Sequence, residues 1–125
     1  ARLGGLFLWV GEMSISNYFF DGGNVTAAAV TQGTAVPANN RRRITAAIVC
    51  NSTAVAKTFT AHVIPSGGTA VATNMYISAR TIAAGESYTC PELVGRGMNA
   101  GGFVQVLADV TGMTFKYEAL DITNG

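Results

Sequence analysis

One histidine, seven scattered carboxylates and a run of three arginines are the residues of this sequence that could do chemistry. A nucleophile works only within reach of a base that a third group orients. His62 falls in the middle of an alternating stretch, on the face that carries Thr58 and Thr60. That position predicts an exposed or hydrogen-bonded imidazole rather than a triad member. The acids Glu12, Asp21, Glu86, Glu92, Asp109, Glu118 and Asp121 lie far apart, mostly at turns, so no pair is set up for acid–base work. Cys50, Cys90 and His62 lack the clustering that a metal site needs. The two cysteines read as small buried thiols; a disulfide stays open, because sequence does not give the Cα separation. Gly22-Gly23, Gly67-Gly68 and Gly101-Gly102 precede neither a Lys-Ser/Thr pair nor a helix, so they are turn glycines rather than phosphate loops. The sequence predicts no catalytic residue, no metal and no cofactor, and therefore no enzyme.

Arg41-Arg42-Arg43 follows Pro37-Ala38-Asn39-Asn40, where a loop enters a strand. In a strand Arg41 and Arg43 share one face and Arg42 takes the other. Three readings are open: a solvated edge that discourages strand pairing, an ionic contact with an acidic partner protein, or nucleic-acid binding. The last is weakest, since no basic stripe or stacking aromatics accompany the cluster. The formal net charge of +1 gives no general drive toward nucleic acid or an anionic membrane.

The elements that must carry these residues are strands. A chain of 125 residues fits one domain, and its 49% hydrophobic residues suffice for a continuous core. Charged residues are only 12%, against about 25% in ordinary soluble domains. A surface so poor in charge repels copies of itself weakly, which favours permanent partners. Thr45–Asn51, Lys57–Ile64, Asn74–Ile82, Ser87–Cys90, Phe103–Ala108 and Met113–Thr123 read as strands. Pro65-Ser66-Gly67-Gly68, Ala83-Ala84-Gly85-Glu86 and Asp109-Val110-Thr111-Gly112 read as turns. Pro91 to Gly95 could form one helical turn. Short strands at near-regular spacing argue for an all-β sandwich or barrel, and we expect a two-sheet β-sandwich of jelly-roll type.

Ahead of the strands lies an apolar, aromatic arm. We divide the chain into an arm over residues 1–20 and a sandwich domain over residues 21–125. Leu6, Phe7, Leu8 and Trp9 head the arm, with Ile15, Tyr18, Phe19 and Phe20 behind them. Gly4 and Gly5 interrupt it, no small-residue cleavage site follows, and it is too short to cross a bilayer. Such a segment does not stay solvated as a free tail. It is either the first strand of the same core or an anchor on a neighbouring subunit, where Leu6, Phe7, Leu8 and Trp9 would make the packing. Asn24-Val25-Thr26 and Asn51-Ser52-Thr53 match the glycosylation pattern, which occurs often by chance.

A succession of segments carries a resemblance: Val36-Pro37-Ala38-Asn39 through Arg43-Ile44-Thr45-Ala46-Ala47, then Val49-Cys50-Asn51-Ser52-Thr53 and His62-Val63-Ile64-Pro65-Ser66-Gly67-Gly68. Ile82-Ala83-Ala84-Gly85-Glu86-Ser87-Tyr88, Pro91-Glu92-Leu93-Val94-Gly95 and Met98-Asn99-Ala100-Gly101-Gly102-Phe103 follow. Over about residues 34 to 123 this pattern resembles small β-sandwich virion proteins of tailed bacteriophages, of the capsid cement or decoration type. The resemblance implies a homo-oligomer, a trimer by preference, on the capsid exterior, with host cytoplasm as the place of assembly. It implies the major capsid protein as partner, contacted through Arg41, Arg42 and Arg43, and neither direct nucleic-acid nor membrane binding. A neck or tail component is the nearby alternative. A carbohydrate-binding sandwich module is the alternative from another class, with Tyr76, Tyr88 and Trp9 as its aromatic candidates.

Overall fold

Alternating burial along paired strands builds two antiparallel sheets face to face. The computed structural model describes the backbone over residues 13–124. Its strands are β1 (Met13–Val25), β2 (Val30–Gln32), β3 (Asn40–Asn51), β4 (Lys57–Ile64), β5 (Met75–Ile82), β6 (Ser87–Tyr88), β7 (Gly97–Met98), β8 (Phe103–Ala108) and β9 (Met113–Asn124). One sheet runs β1-β9-β3-β6, with β7 also pairing β3; the other runs β2-β8-β4-β5. The chain crosses between the sheets at most connections, staying within one sheet only from β4 to β5 and from β6 to β7, which is a jelly-roll-like wiring. A single 3₁₀ turn, Ala72–Asn74, is the helical content of the described residues.

Every second residue of β9 points inward: Met113, Phe115, Tyr117 and Ala119 are buried, while Thr114, Lys116 and Glu118 are exposed. Phe59 from β4 stacks on Phe115 at 5.7 Å between ring centroids, joining the two sheets. Val49, Val104, Val106 and Leu93 complete a continuous core. The expected turn at Pro65 closes through a 2.9 Å hydrogen bond from the Gly68 amide to the Pro65 carbonyl. Gly67 sits there at φ 76°, a conformation that favours glycine at the third position of such a turn.

Three expectations change. The first is the boundary of the arm. From Met13 on, residues assigned to it form β1, an edge strand paired along β9, with Tyr18 and Phe20 packed on the core. Leu6, Phe7, Leu8 and Trp9 lie outside the described residues. The second is β5, where the sequence alternates with Met75, Ile77 and Ala79 opposite Tyr76, Ser78 and Arg80; the alternation breaks at Ala79, whose φ is 46°, and the pairing with β4 shifts between Phe59 and Ala61. Ile77 and Ile82 are the residues that reach the core. The third is Pro91 to Gly95, which forms turns rather than a helix, with Leu93 N–H on the Cys90 carbonyl at 3.0 Å. The two-residue strand β7 and the three-residue strand β2 carry too little periodicity to be read from sequence.

Candidate functional site

The strands β1, β9 and β3 present two different faces, and the arginine run is divided between them. Arg42 points inward and is 1% exposed. Its guanidinium grips Asp121 in two bonds, Nε to Oδ1 at 2.6 Å and Nη2 to Oδ2 at 3.0 Å. Nη1 donates to the Thr34 carbonyl at 2.7 Å, and Cζ sits 3.7 Å from the Tyr18 ring centroid. The Tyr18 hydroxyl accepts the Thr34 N–H at 2.8 Å, and the Tyr117 hydroxyl donates to the Gln32 carbonyl at 3.3 Å. This knot ties β1, β3 and β9 to β2 and the loop after it. Burial works to lower the Arg42 pKa, but the hydrogen bond and charge of Asp121, with the Tyr117 and Tyr18 phenols beside it, outweigh it, and the net shift is upward. Arg42 is therefore corrected from a partner contact to a buried structural cation.

Arg41 and Arg43 stay exposed on the outer face. Cross-strand register places Ile15, Ile122 and Arg41 in one row, and Asn17, Leu120 and Arg43 in the next. Phe19, Glu118 and Ala46 make the third row. This surface sets exposed apolar side chains among charged ones: Ile15 is 60% exposed and Phe19 56%, with Leu120 and Ile122 half-buried beside them and Arg41, Arg43 and Glu118 exposed in the same rows. A β-bulge at Ile44–Ala46 exposes both Thr45 and Ala46. The turn after β6 locks onto that bulge: Ile44 N–H donates to the Arg96 carbonyl at 2.9 Å, and Gly95 N–H to the Ile44 carbonyl at 2.8 Å. Pro91 and Val94 thereby border a groove of about 660 Å³ that Phe19, Ala46 and Ile48 also line, together with the charged Asp21, Lys116 and Glu118.

The other candidates are structural. His62 is buried, and its Nδ1 lies 2.9 Å from Asn74 Oδ1, which corrects the exposed alternative to the hydrogen-bonded one. Cys50 and Cys90 are free, and burial pushes the Cys90 thiol up to about 12. Asn51 is fully buried: Nδ2 donates to the Val55 and Ile82 carbonyls, both at 2.9 Å, so this amide is no glycan acceptor. Arg80 stands over one face of the Tyr88 ring at 4.0 Å and Arg96 over one face of the Tyr76 ring at 4.7 Å. Among the described residues, no group of three His, Cys, Asp or Glu side chains could hold a metal ion, and no helix is long and apolar enough to cross a membrane.

The groove escaped sequence reasoning because it is made by a bulge and by a turn roughly fifty residues away from it in the chain. The exposed half of the alternation, Ile15, Asn17 and Phe19, was the available signal: apolar residues at both i and i+4 on the face opposite Tyr18 and Phe20.

The sandwich is similar to solved structures of distant sequence. A chain of Bacillus endospore appendages, described as a novel family of disulfide-linked pili, matches with a TM-score of 0.57 at 12% identity over 100% of both chains. A chain of the infectious bursal disease virus Gx strain matches with a TM-score of 0.54 at 11% identity, over 91% of this protein and 33% of that chain. The protein thus spans about a third of the viral chain. No protein-family model and no curated protein matches the sequence. At such identities the likeness shows a shared fold, a two-sheet β-sandwich of the kind found in a pilus and in a virus.

Proposed function

We propose that this chain is a structural assembly subunit, a rigid jelly roll that works by packing the outer face of β1, β9 and β3 against other chains. The observation that carries this reading is the apolar character of that face. The core is already complete on the inner side, yet Ile15, Phe19 and Val94 remain largely exposed around a formed groove. In its finer form, favoured by the turn-and-strand resemblance, the subunit decorates the capsid of a tailed bacteriophage. There it bridges copies of the major capsid protein from outside, as a trimer, with Arg41 and Arg43 against acidic shell surface. Many weak contacts made at once by an oligomer give the avidity such a role needs.

A second reading rests on the full-length likeness to the appendage chain: a subunit that repeats head to tail into a fibre. The two differ in closure, since a ring or trimer closes its interface and a fibre leaves one open. Light scattering with electron microscopy of the purified chain separates them. A discrete oligomer that binds isolated capsid shells supports decoration; filaments of growing mass support the appendage. A monomer at every concentration, with no shell binding, would overturn both.

A further inference from the structure

We propose that two copies of this chain join edge to edge, with β1 of one pairing antiparallel to β1 of the other about a twofold axis at Asn17. The proposal rests on the assembly reading and adds a contact to the face packing described there.

A strand at the edge of a sheet carries unpaired N–H and C=O groups along one side, which a further strand completes unless something blunts that edge. Three of the four sides of these two sheets are blunted. β2 has three residues, and β6 and β7 have two each, too few to hold an added strand in register. β5 is longer but irregular: Ala79 has φ 46°, the pairing with β4 shifts twice, and Arg80 brings a charge. β1 has none of these defences over its first part. Met13–Phe20 pairs with β9 in eight consecutive steps, and it contains neither a charge nor a proline. Among the described residues, no strand pairs with its other side. Only beyond Phe20 does the register shift, where Gly22 sits at φ 139°.

Of the edges a second copy offers, β1 is the one long and regular enough to answer β1. Two identical edges that run antiparallel are related by a twofold axis perpendicular to the sheet. That axis keeps the outer faces of both copies on the same side, so outer-face residues lie opposite outer-face residues. Ile15, Asn17 and Phe19 are the outer-face residues of this stretch. With the axis at Asn17, Ile15 of each copy lies opposite Phe19 of the other. These are the large apolar side chains that β1 leaves exposed, at 60% and 56%, and cross-strand apolar pairs are what stabilise a sheet. An axis at Ser16 would set Ile15 opposite Asn17, and an axis at Tyr18 would set Phe19 opposite Asn17, so the pattern selects the register. A twofold contact closes with two copies, and larger assemblies then draw on the outer face as well.

Asn17→Lys and Asn17→Asp test the register, because the twofold sets each new charge directly against its own counterpart, with Cβ atoms about 5 Å apart. Asn17 is exposed, so both variants should give the urea curve of the unaltered chain. By light scattering at low salt, each variant alone should need about tenfold or more higher concentration to associate. Mixed in equal amounts, the two variants bring opposite charges together and should recover association. Hydrogen exchange of the full, unaltered chain over a dilution series is the second readout. Alternate amides between Ser14 and Phe20, those turned away from β9, should gain protection as the mass rises. Association lost in both variants and not recovered on mixing overturns edge pairing and leaves packing by the face standing. Association unchanged in both variants does the same, as do edge amides protected equally at every concentration, which would mark pairing within one chain. A monomer at every concentration overturns the inference and the assembly reading together.

Discussion

Arg42 and its neighbours Arg41 and Arg43 differ by one residue in sequence and by the whole thickness of a sheet in environment. The inner face of β1, β9 and β3 is closed: every donor of Arg42 used here has a partner, and Tyr18, Phe20, Phe115 and Tyr117 pack ring against ring at 5.7–5.9 Å with Phe59. The outer face is different: on the same strands and register, Ile15 and Phe19 stay exposed beside Arg41, Arg43 and Glu118, with no second layer over them among the described residues. The difference teaches that stability and function are divided by the pleat. One face specifies the fold, and the other is the surface proposed above for assembly.

That division is most strongly tested by Asp121→Ala, which leaves Arg42 buried without its carboxylate. Loss of one partner of a buried pair costs about 3–5 kcal/mol, so the urea midpoint should fall sharply or the protein should fail to accumulate. Replacing both residues, as Arg42→Met with Asp121→Leu, should recover much of that loss. No recovery would mean that Arg42 is needed for its bonds to Thr34 and Tyr18 rather than for charge balance.

Gly33→Ala should come next. Gly33 has φ 80°, and a Cβ there would lie 2.5 Å from the Tyr18 hydroxyl and 3.0 Å from that of Tyr117. Strain and clash together should cost about 1–3 kcal/mol by denaturant unfolding. A neutral result would show that the tyrosine knot has room to move.

The inner face also carries a pH signature. Burial pushes the Cys90 thiol and the Tyr117 hydroxyl up to about 12 each. Between the unfolded values of these groups and their folded values the native state holds more protons than the unfolded chain. Stability should therefore be unaffected by them at neutral pH and fall as the pH rises from about 9 toward about 12. Cys90→Ser together with Tyr117→Phe should flatten that slope in urea titrations.

The outer face should show the smallest effect on stability. Phe19→Glu, or Arg41→Glu with Arg43→Glu, should shift unfolding by no more than about 0.5 kcal/mol, as surface substitutions usually do. These changes should instead alter association, Phe19→Glu by placing charge in the apolar face and the arginine pair by making assembly less sensitive to salt.

Much of the inner face was legible in the sequence, because period-two alternation names a buried side directly. Lys57–Ile64 and Phe103–Ala108 coincide with β4 and β8, and Met113, Phe115, Tyr117 and Ala119 are the buried set of β9. The alternation also placed Arg42 opposite Arg41 and Arg43, but no local signal announces Asp121, its partner 79 residues away. The arm shrank for a similar reason. Tyr18 and Phe20 become core residues through pairing of β1 with β9, at the far end of the chain. The groove needs a bulge, a turn and three strands at once, so it exists only in the folded chain.

Assembly through the outer face of β1, β9 and β3 is read out by light scattering of the full chain beside Phe19→Glu, both shown folded by matching urea curves. A multimer for the unaltered sequence and a monomer for the variant, at equal stability, is the expected result. An identical mass for both would contradict assembly through this face.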